Sequence, residues 1–376
     1  MSVPLKKIIS TNLINIPGWR TNRKLVVIES DDWGTVRMAS KEAFNYFLSH
    51  QLPVDTCPYN SNDALESNED LEALFEALHS VKDKNGNGAL ITANNIVANP
   101  DFEKIQASNF EEYFFEPFTE TLKHYPSHDK VESLYREGIH LNIFRPQFHG
   151  REHINLGRWF RSLQSSNKVT RLAFSQSMFS IHAENKPAEV NEFLDALDVD
   201  SKEQLDSQPT VMTEGLDLFE KIWGFRSQSF IAPCYVWSSS LEPLLAKNGV
   251  SFIQGLVNQL EPIPAPGYRY KKKYHYQGQK NKQSQRYLIR NAFFEPTTNL
   301  HFDWVGDCLR RIEAAFRWNK PAIISAHRLN FIGFIREENR TQNLKLFKAL
   351  LQKIIQRWPD TEFVSTDQLG NMMEKR

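Results

Sequence analysis

Two adjacent carboxylates, Asp31 and Asp32, stand in the run Ser30-Asp31-Asp32-Trp33-Gly34. They follow a short β-branched run, and parallel α/β architectures build their sites at the C-terminal ends of strands. Carboxylates this close repel each other unless a cation or a basic side chain lies between them. Asp-Asp before glycine is also ordinary turn chemistry, so the pair alone decides nothing. His149 and His153 are four apart in His149-Gly150-Arg151-Glu152-His153. On a helical turn that spacing puts both imidazoles on one face, within reach of one ion at about 2.0–2.1 Å. A surface pair is the plain alternative. His327 follows the apolar run 321–326. It is either a satisfied core histidine or a general acid or base, because its pKa lies near neutrality. Ala232-Pro233-Cys234-Tyr235 follows another short strand-like run. His301-Phe302-Asp303-Trp304, with Asp307 one turn further, opens a helix that Asp303 is suited to cap.

The elements that would position these groups alternate between short apolar runs and helix-period stretches, which reads as α/β. Strands are expected at 24–29, 89–93, 138–143, 229–232, 250–254, 321–326 and 362–365. Helices are expected at 39–49, 67–80, 109–124, 129–136, 154–164, 187–197, 201–223, 239–248, 303–318, 337–357 and 366–374. Ser67 followed by Asp70 has the form of an N-cap with its acidic partner, and residues 169–174 read as extended or irregular.

The 376 residues carry 45 basic and 45 acidic side chains, a balance that argues against affinity built on phosphate neutralisation, and so against nucleic acid. With 40% hydrophobic and 24% charged residues the chain is ordinary globular material, and wholesale disorder is excluded. Cys57, Cys234 and Cys308 are far apart and form neither a disulfide framework nor a metal-binding pair, which fits a reducing compartment. No secretory signal and no membrane-spanning run is legible, so the expected location is cytoplasmic. Residues 1–23 mix apolar side chains with Lys6, Lys7, Arg20 and Arg23. A packed N-terminal extension is the better reading, and peripheral membrane contact the other.

Taken in order along the chain, these motifs resemble the polysaccharide deacetylase family (carbohydrate esterase family four). That family has a first-strand Thr-Phe-Asp-Asp-Gly motif, then His-x3-His, an Arg-Pro-Pro-Tyr-like segment, an Asp-Trp region and a strand ending Leu-x-His. The resemblance runs from about Lys24 to Leu369 and includes the closing strand and helix at 363–369. It implies an α/β fold, an irregular (β/α)7 barrel of the glycoside hydrolase/deacetylase type with insertions, over 24–376. It implies one divalent metal, zinc first and manganese, cobalt or nickel next, held by Asp32, His149 and His153. Asp31 would be the general base acting on the attacking water, and His327 would protonate the leaving amine. Asp303 or Asp307 would hold His327, and a backbone N–H near Tyr235 would meet the oxyanion. Trp33, Pro233 and Trp237 would contact substrate. The implied activity is removal of an acetyl group, N-acetyl before O-acetyl, from a carbohydrate.

The chain departs from the family in three places. Trp33 precedes the glycine of the first motif. Ile231 and Ala232 stand where the family has the arginine that steadies its base, with Arg226 or Arg145 as candidate replacements. The gap before His149 is long, which leaves His140 as a minor rival ligand. The missing arginine supports a second reading, a catalytically silent carbohydrate-binding barrel that keeps its metal. The run 149–153 also fits the H-x-x-E-H pattern of inverted zinc metallopeptidases, with Glu152 as base. That pattern needs a helix, which Pro146 and Gly150 weaken, and it leaves Asp31, Asp32 and His327 idle. Finally, 262–294 contains no acidic residue. There Arg269, Lys271, Lys272, Lys273, Lys280, Lys282, Arg286 and Arg290 alternate with Tyr268, Tyr270, Tyr274, Tyr276 and Tyr287. This basic and aromatic insertion, about 261–294, is either a solvated mobile loop or a flap for an anionic glycan or lipid-linked phosphate.

Overall fold

Leu25, Val26, Val27 and Ile28 are all fully buried, because both faces of their strand are covered; a parallel strand of this kind reads as a continuous apolar run rather than an alternation. The structure, a computed structural model, describes residues 5–181 and 193–375. Its main sheet contains β1 (Lys24–Trp33), β2 (Ile91–Ile96), β3 (Phe144–Gly150), β4 (Ser229–Ile231), β5 (Phe252–Gly255), β6 (Arg286–Ile289), β7 (Ala292–Phe293), β8 (Ala322–His327) and β9 (Thr361–Phe363). Every pairing in this sheet is parallel, in the order β6-β5-β4-β3-β2-β1-β8-β7, with β9 beside the first residues of β1. β6 and β7 belong to one extended run. Between them, Arg290 N–H donates to Gly255 O at 2.9 Å and Asn291 N–H to Ile323 O at 3.1 Å. The run therefore joins the two edges and curls the sheet into a small irregular barrel wrapped by helices.

The barrel interior changes character along its axis. Leu25, Val27, Phe252, Leu288 and Ile323 cluster at the N-terminal end, plugged by Leu369 and Met373 of the last helix, α10 (Thr366–Glu374). Further up the same face of β1 come Glu29 and Asp31, both buried. The outward residues Val26 and Ile28 join the larger core under the helices. The named helices in chain order are α1 (Leu5–Leu13), α2 (Lys41–Ser49), α3 (Asn68–His79), α4 (Val131–His140), α5 (Leu156–Gln164), α6 (Lys168–Phe174), α7 (Lys202–Trp223), α8 (Trp304–Arg317) and α9 (Glu337–Arg357). Ser67 and Asp70 form the expected capping box on α3.

Several expectations are corrected. The strand expected at 138–143 begins at Phe144, because α4 continues through His140. Gly138 lets it do so: a Cβ there would stand 2.6 Å from the Phe75 ring. The helix expected at 109–124 is interrupted. Asn109 and Phe110 take φ of 53° and 63°, and 115–117 pairs antiparallel with 98–100. Residues 169–174, expected to be irregular, lie in α6, which Asn167 caps through Val169 and Thr170 N–H. The helix expected at 187–197 lies outside the described residues up to 192, and 193–197 is not helical. The acid-free stretch is not one loop. Residues 258–262 and 270–274 form an antiparallel hairpin, and 286–293 is barrel wall. The N-terminal segment packs on the barrel: Lys320 Nζ donates to Pro17 O at 2.7 Å, and Trp318 Nε1 to Asn12 Oδ1 at 2.9 Å. No helix among the described residues is long and apolar enough to cross a membrane.

Candidate metal centre and active site

The pairing of β1 with β2 slips between Ser30 and Trp33, a bulge at the C-terminal end of the strand. Asp32 sits there at φ 74°, a conformation a non-glycine residue keeps only under constraint from its surroundings. The bulge separates three neighbours. Asp31 stays in the barrel mouth, Asp32 faces the histidines, and Trp33 goes to the core. Trp33 is 1% exposed, edge-on to Phe144 at 5.3 Å, with its indole N–H on Ser30 Oγ. The next residue, Gly34, is at φ 85°, where a Cβ would collide with the Ile96 carbonyl oxygen.

His149 is the penultimate residue of β3, and His153 lies in the turn beyond Gly150, which is at φ 136°. The two imidazoles thus meet by a strand-to-turn bend and not on a helical turn, with ring centroids 5.2 Å apart. His149 Nδ1 lies 2.9 Å from Ile231 O, an acceptor, so Nδ1 carries a proton and Nε2 is the nitrogen turned toward the centre. That Nε2 is 3.3 Å from Asp32 Oδ1, and His153 Nε2 is 3.4 Å from the same oxygen. Burial lowers the His153 imidazole to about 4, so it is neutral at physiological pH. Burial pushes the Asp32 carboxyl up, but His153, His149 and His327 outweigh it and hold it well below its ordinary value. Two imidazole Nε2 atoms converging on one carboxylate oxygen form an arrangement in which a cation can replace protons. The three donor atoms lie within 4.8 Å of one another, and two imidazoles with a carboxylate are a donor set suited to zinc and similar ions.

Asp31 is clamped by an arginine, and it is neither Arg226 nor Arg145. Arg290 Nη2 donates to Asp31 Oδ1 at 2.6 Å and Nη1 to Oδ2 at 2.7 Å, while Nε reaches Glu29 at 2.6 Å. Asn94 Nδ2 adds a bond to Asp31 Oδ1 at 2.7 Å. Burial alone would raise the Asp31 carboxyl, but Arg290 brings it down to about 2. Arg226 pairs with Glu220 and Arg145 with Asp367, away from Asp31. His327, at the end of β8, has Nδ1 2.7 Å from Glu295 Oε1 and Nε2 3.9 Å from Asp31 Oδ2. Burial pulls this imidazole down, yet the Glu295 carboxylate more than offsets that and lifts it to about 10.

Other expected roles move. Asp303 accepts from Gly306 N–H at 2.8 Å and caps α8. Asp307 pairs with Arg310 at 3.2 Å and Arg311 at 2.9 Å on its own helix. Glu295 has the place on His327 that these two were expected to fill. Tyr235 N–H is taken by Ala232 O at 3.0 Å, so it is not a spare oxyanion donor; its hydroxyl instead accepts from Arg290 Nη1 at 3.1 Å. Trp237 is 1% exposed and stacks over His275, and Pro233 is buried beside it in the chain. Neither these two nor Trp33 lines the pocket over the centre. That pocket, about 430 Å³, is walled by Thr35, Arg37, Tyr59, Phe179, Cys234 and Tyr235 around Asp31, Asp32, His149, His153 and His327. His140 ends α4 and does not line it. Glu152 is held by Arg151 Nε at 2.7 Å and Tyr113 hydroxyl at 2.8 Å, which leaves the peptidase reading without its base. The silent-barrel reading rested on a missing arginine, and Arg290 removes that ground.

No known family model matches the chain, and no curated protein matches it in sequence. Solved structures do match its fold. A Parabacteroides distasonis protein assigned as a glycoside hydrolase/deacetylase shares 11% identity over 95% of this chain and 73% of its own, with a TM-score of 0.51. The 4-alpha-glucanotransferase of Thermococcus litoralis shares 9% over 92% of this chain and 40% of its own, with a TM-score of 0.48. A Pseudomonas aeruginosa protein assigned as a polysaccharide deacetylase shares 7% over 94% and 92%, with a TM-score of 0.45. The likeness is one of fold, a (β/α) barrel of the deacetylase/glycoside hydrolase type, and rests on the first of these.

Proposed function

We propose that this chain is a divalent-metal-dependent hydrolase that removes an acetyl group, from nitrogen before oxygen, from a carbohydrate. The observation that carries the reading is the meeting of an Asp-His-His donor set, an arginine-clamped carboxylate and a carboxylate-bound imidazolium around one pocket. The fold likeness to a protein assigned as a glycoside hydrolase/deacetylase supports carbohydrate as the substrate class. Asp32, His149 and His153 would hold the ion, zinc first and manganese, cobalt or nickel next. Bound there, a divalent ion supplies Lewis acidity, lowering the pKa of water and polarising an acyl carbonyl.

The remaining work falls to side chains. Asp31 stays ionised, and Arg290 with Asn94 fixes its carboxylate plane, so it orients the attacking water and accepts its proton. His327 keeps its proton on Nε2 because Glu295 binds Nδ1. It delivers that proton to the leaving nitrogen, since an amine leaves readily only as it is protonated. The test is acetate release from N-acetylglucosamine oligomers by protein loaded with zinc, cobalt or manganese. Asp31→Asn and His327→Ala are each expected to keep the metal and to lower kcat about 10²- to 10⁴-fold. Undiminished turnover in either variant removes that residue from the mechanism. Absence of acetate from every acetylated sugar tried contradicts the reading.

A further inference from the structure

Six arginines among the described residues are buried, and five of them meet carboxylates. Arg290 meets Glu29 and Asp31, Arg328 meets Asp63 and Glu66, and Arg340 meets Asp70. Arg151 meets Glu152, and Arg158 meets Asp195, Asp198 and Asp200. The sixth is Arg37. It is 8% exposed, and its Nε has no hydrogen-bond partner among the described residues. Its guanidinium carbon stands 5.4 Å from the centroid of the Tyr59 ring.

Arg37 lines the same pocket as Asp32 and His153. The chain on either side of it is pinned: Val36 N–H donates to Asn99 Oδ1 at 2.9 Å and Met38 N–H to Asp63 O at 3.0 Å. The carboxylates that share the pocket region are engaged elsewhere, Asp63 by Arg328, Asp31 by Arg290 and Glu295 by His327. Asp32 faces the two histidines. Asp63 acts on Arg37 through its charge alone, with no hydrogen bond between them among the described residues. A buried guanidinium whose donors are left unmatched is costly, and a planar fork of donors is matched by a carboxylate or a phosphate.

We propose that Arg37 is a specificity-determining residue that binds an oxyanionic group, carboxylate or phosphate, carried by the acylated sugar. This rests on the deacetylase reading and adds the substrate's charge to it. The basic hairpin 258–274 is not needed for it, because Arg37 sits in the pocket itself.

The test is calorimetric binding, with acetate release in parallel, on the metal-loaded full chain. The probes are N-acetylglucosamine, N-acetylmuramic acid (carboxylate) and N-acetylglucosamine 6-phosphate (phosphate). At least one anionic sugar is expected to bind about 10- to 100-fold tighter than the neutral one. Whichever of the two does so identifies the group. Arg37→Ala should bring that ratio to parity, and Arg37→Lys, which keeps the charge without the fork, should retain part of it. Circular dichroism establishes that both variants are folded, and the lysine variant carries the test if the alanine variant is not. A preference that survives Arg37→Ala would mean that the anion is held by the metal, and overturns the inference. Equal binding of all three by the wild type, with acetate released, overturns it and leaves the deacetylase reading standing. No binding and no acetate from any of them sinks both.

Discussion

At the scale of single residues, the acid–base pair depends on two clamps. Glu295 holds His327 charged; its carboxylate is the reason the imidazole titrates near 10 instead of near neutrality. The acid form is the working form, so activity would be present below the folded pKa and lost as pH rises through it. Glu295→Gln removes the charge, lets burial dominate and lowers the imidazole pKa. The alkaline limb of the kcat/KM profile should therefore move to lower pH, which a pH–rate series would read. An unmoved limb would take Glu295 out of that role. Arg290 does the corresponding work on Asp31. Arg290→Ala leaves Glu29 and Asp31 buried without their cation, and a cost of about 3–5 kcal/mol in folding stability is expected from chemical denaturation. Asp31, Asp32, His149, His153 and His327 were legible because each stands in a short motif. Their clamps were not. Arg290 lies 259 residues from Asp31 and looked like one more charge in a basic stretch, and Glu295 is simply the first acid beyond that stretch. Pairings at such separations are set by barrel closure, which local spacing does not carry.

At the scale of elements, the bulge of β1 does most to make the centre. It puts consecutive side chains to three uses, and the glycine after it has no space for a side chain. Gly34→Ala is expected to destabilise the fold by about 1–3 kcal/mol, from left-handed backbone and the Ile96 carbonyl together. A midpoint of urea unfolding equal to that of the wild type would contradict this. The long helices and the buried strands β1 and β8 were readable from periodicity and apolar runs. The start of β3 was not, because α4 runs four residues past its expected end at 136 and Gly138 hides a close contact with Phe75. α6 is a short helix whose start depends on the Asn167 cap more than on an apolar period. The family resemblance implies substrate contacts for Trp33 and Trp237, whereas both are core residues.

At the scale of the whole molecule, the barrel is held at its N-terminal end by a small ionic staple. Glu362, just after the first residue of β9, receives Arg23 Nη2 at 2.6 Å and Lys84 Nζ at 2.9 Å. The hydrogen bond from Arg23 is the main reason its carboxyl is lowered to about 2. A lowered folded pKa adds stability above the ordinary carboxylate value and loses it as pH falls toward 2. Both cations are partly exposed, so the staple contributes only about 1 kcal/mol. Glu362→Gln should be less stable than the wild type at pH 7, with the gap narrowing below about pH 4.5 and closing as pH falls through about 2; a gap independent of pH would contradict the assignment. The alternation of strands and helices made the α/β class readable from sequence, and the family resemblance implied the barrel. Closure by 286–293 was hidden inside a stretch whose charges drew the eye to its surface.

The central claim is that Asp32, His149 and His153 form one divalent-metal site. The most direct measurement is the metal content of purified protein by elemental analysis, beside Asp32→Ala and His149→Ala. The account predicts one equivalent of a divalent ion in the wild type, recovered on reloading after chelation, and its loss in both variants. A wild type that takes up no zinc, cobalt or manganese, or variants that retain the ion, would contradict it.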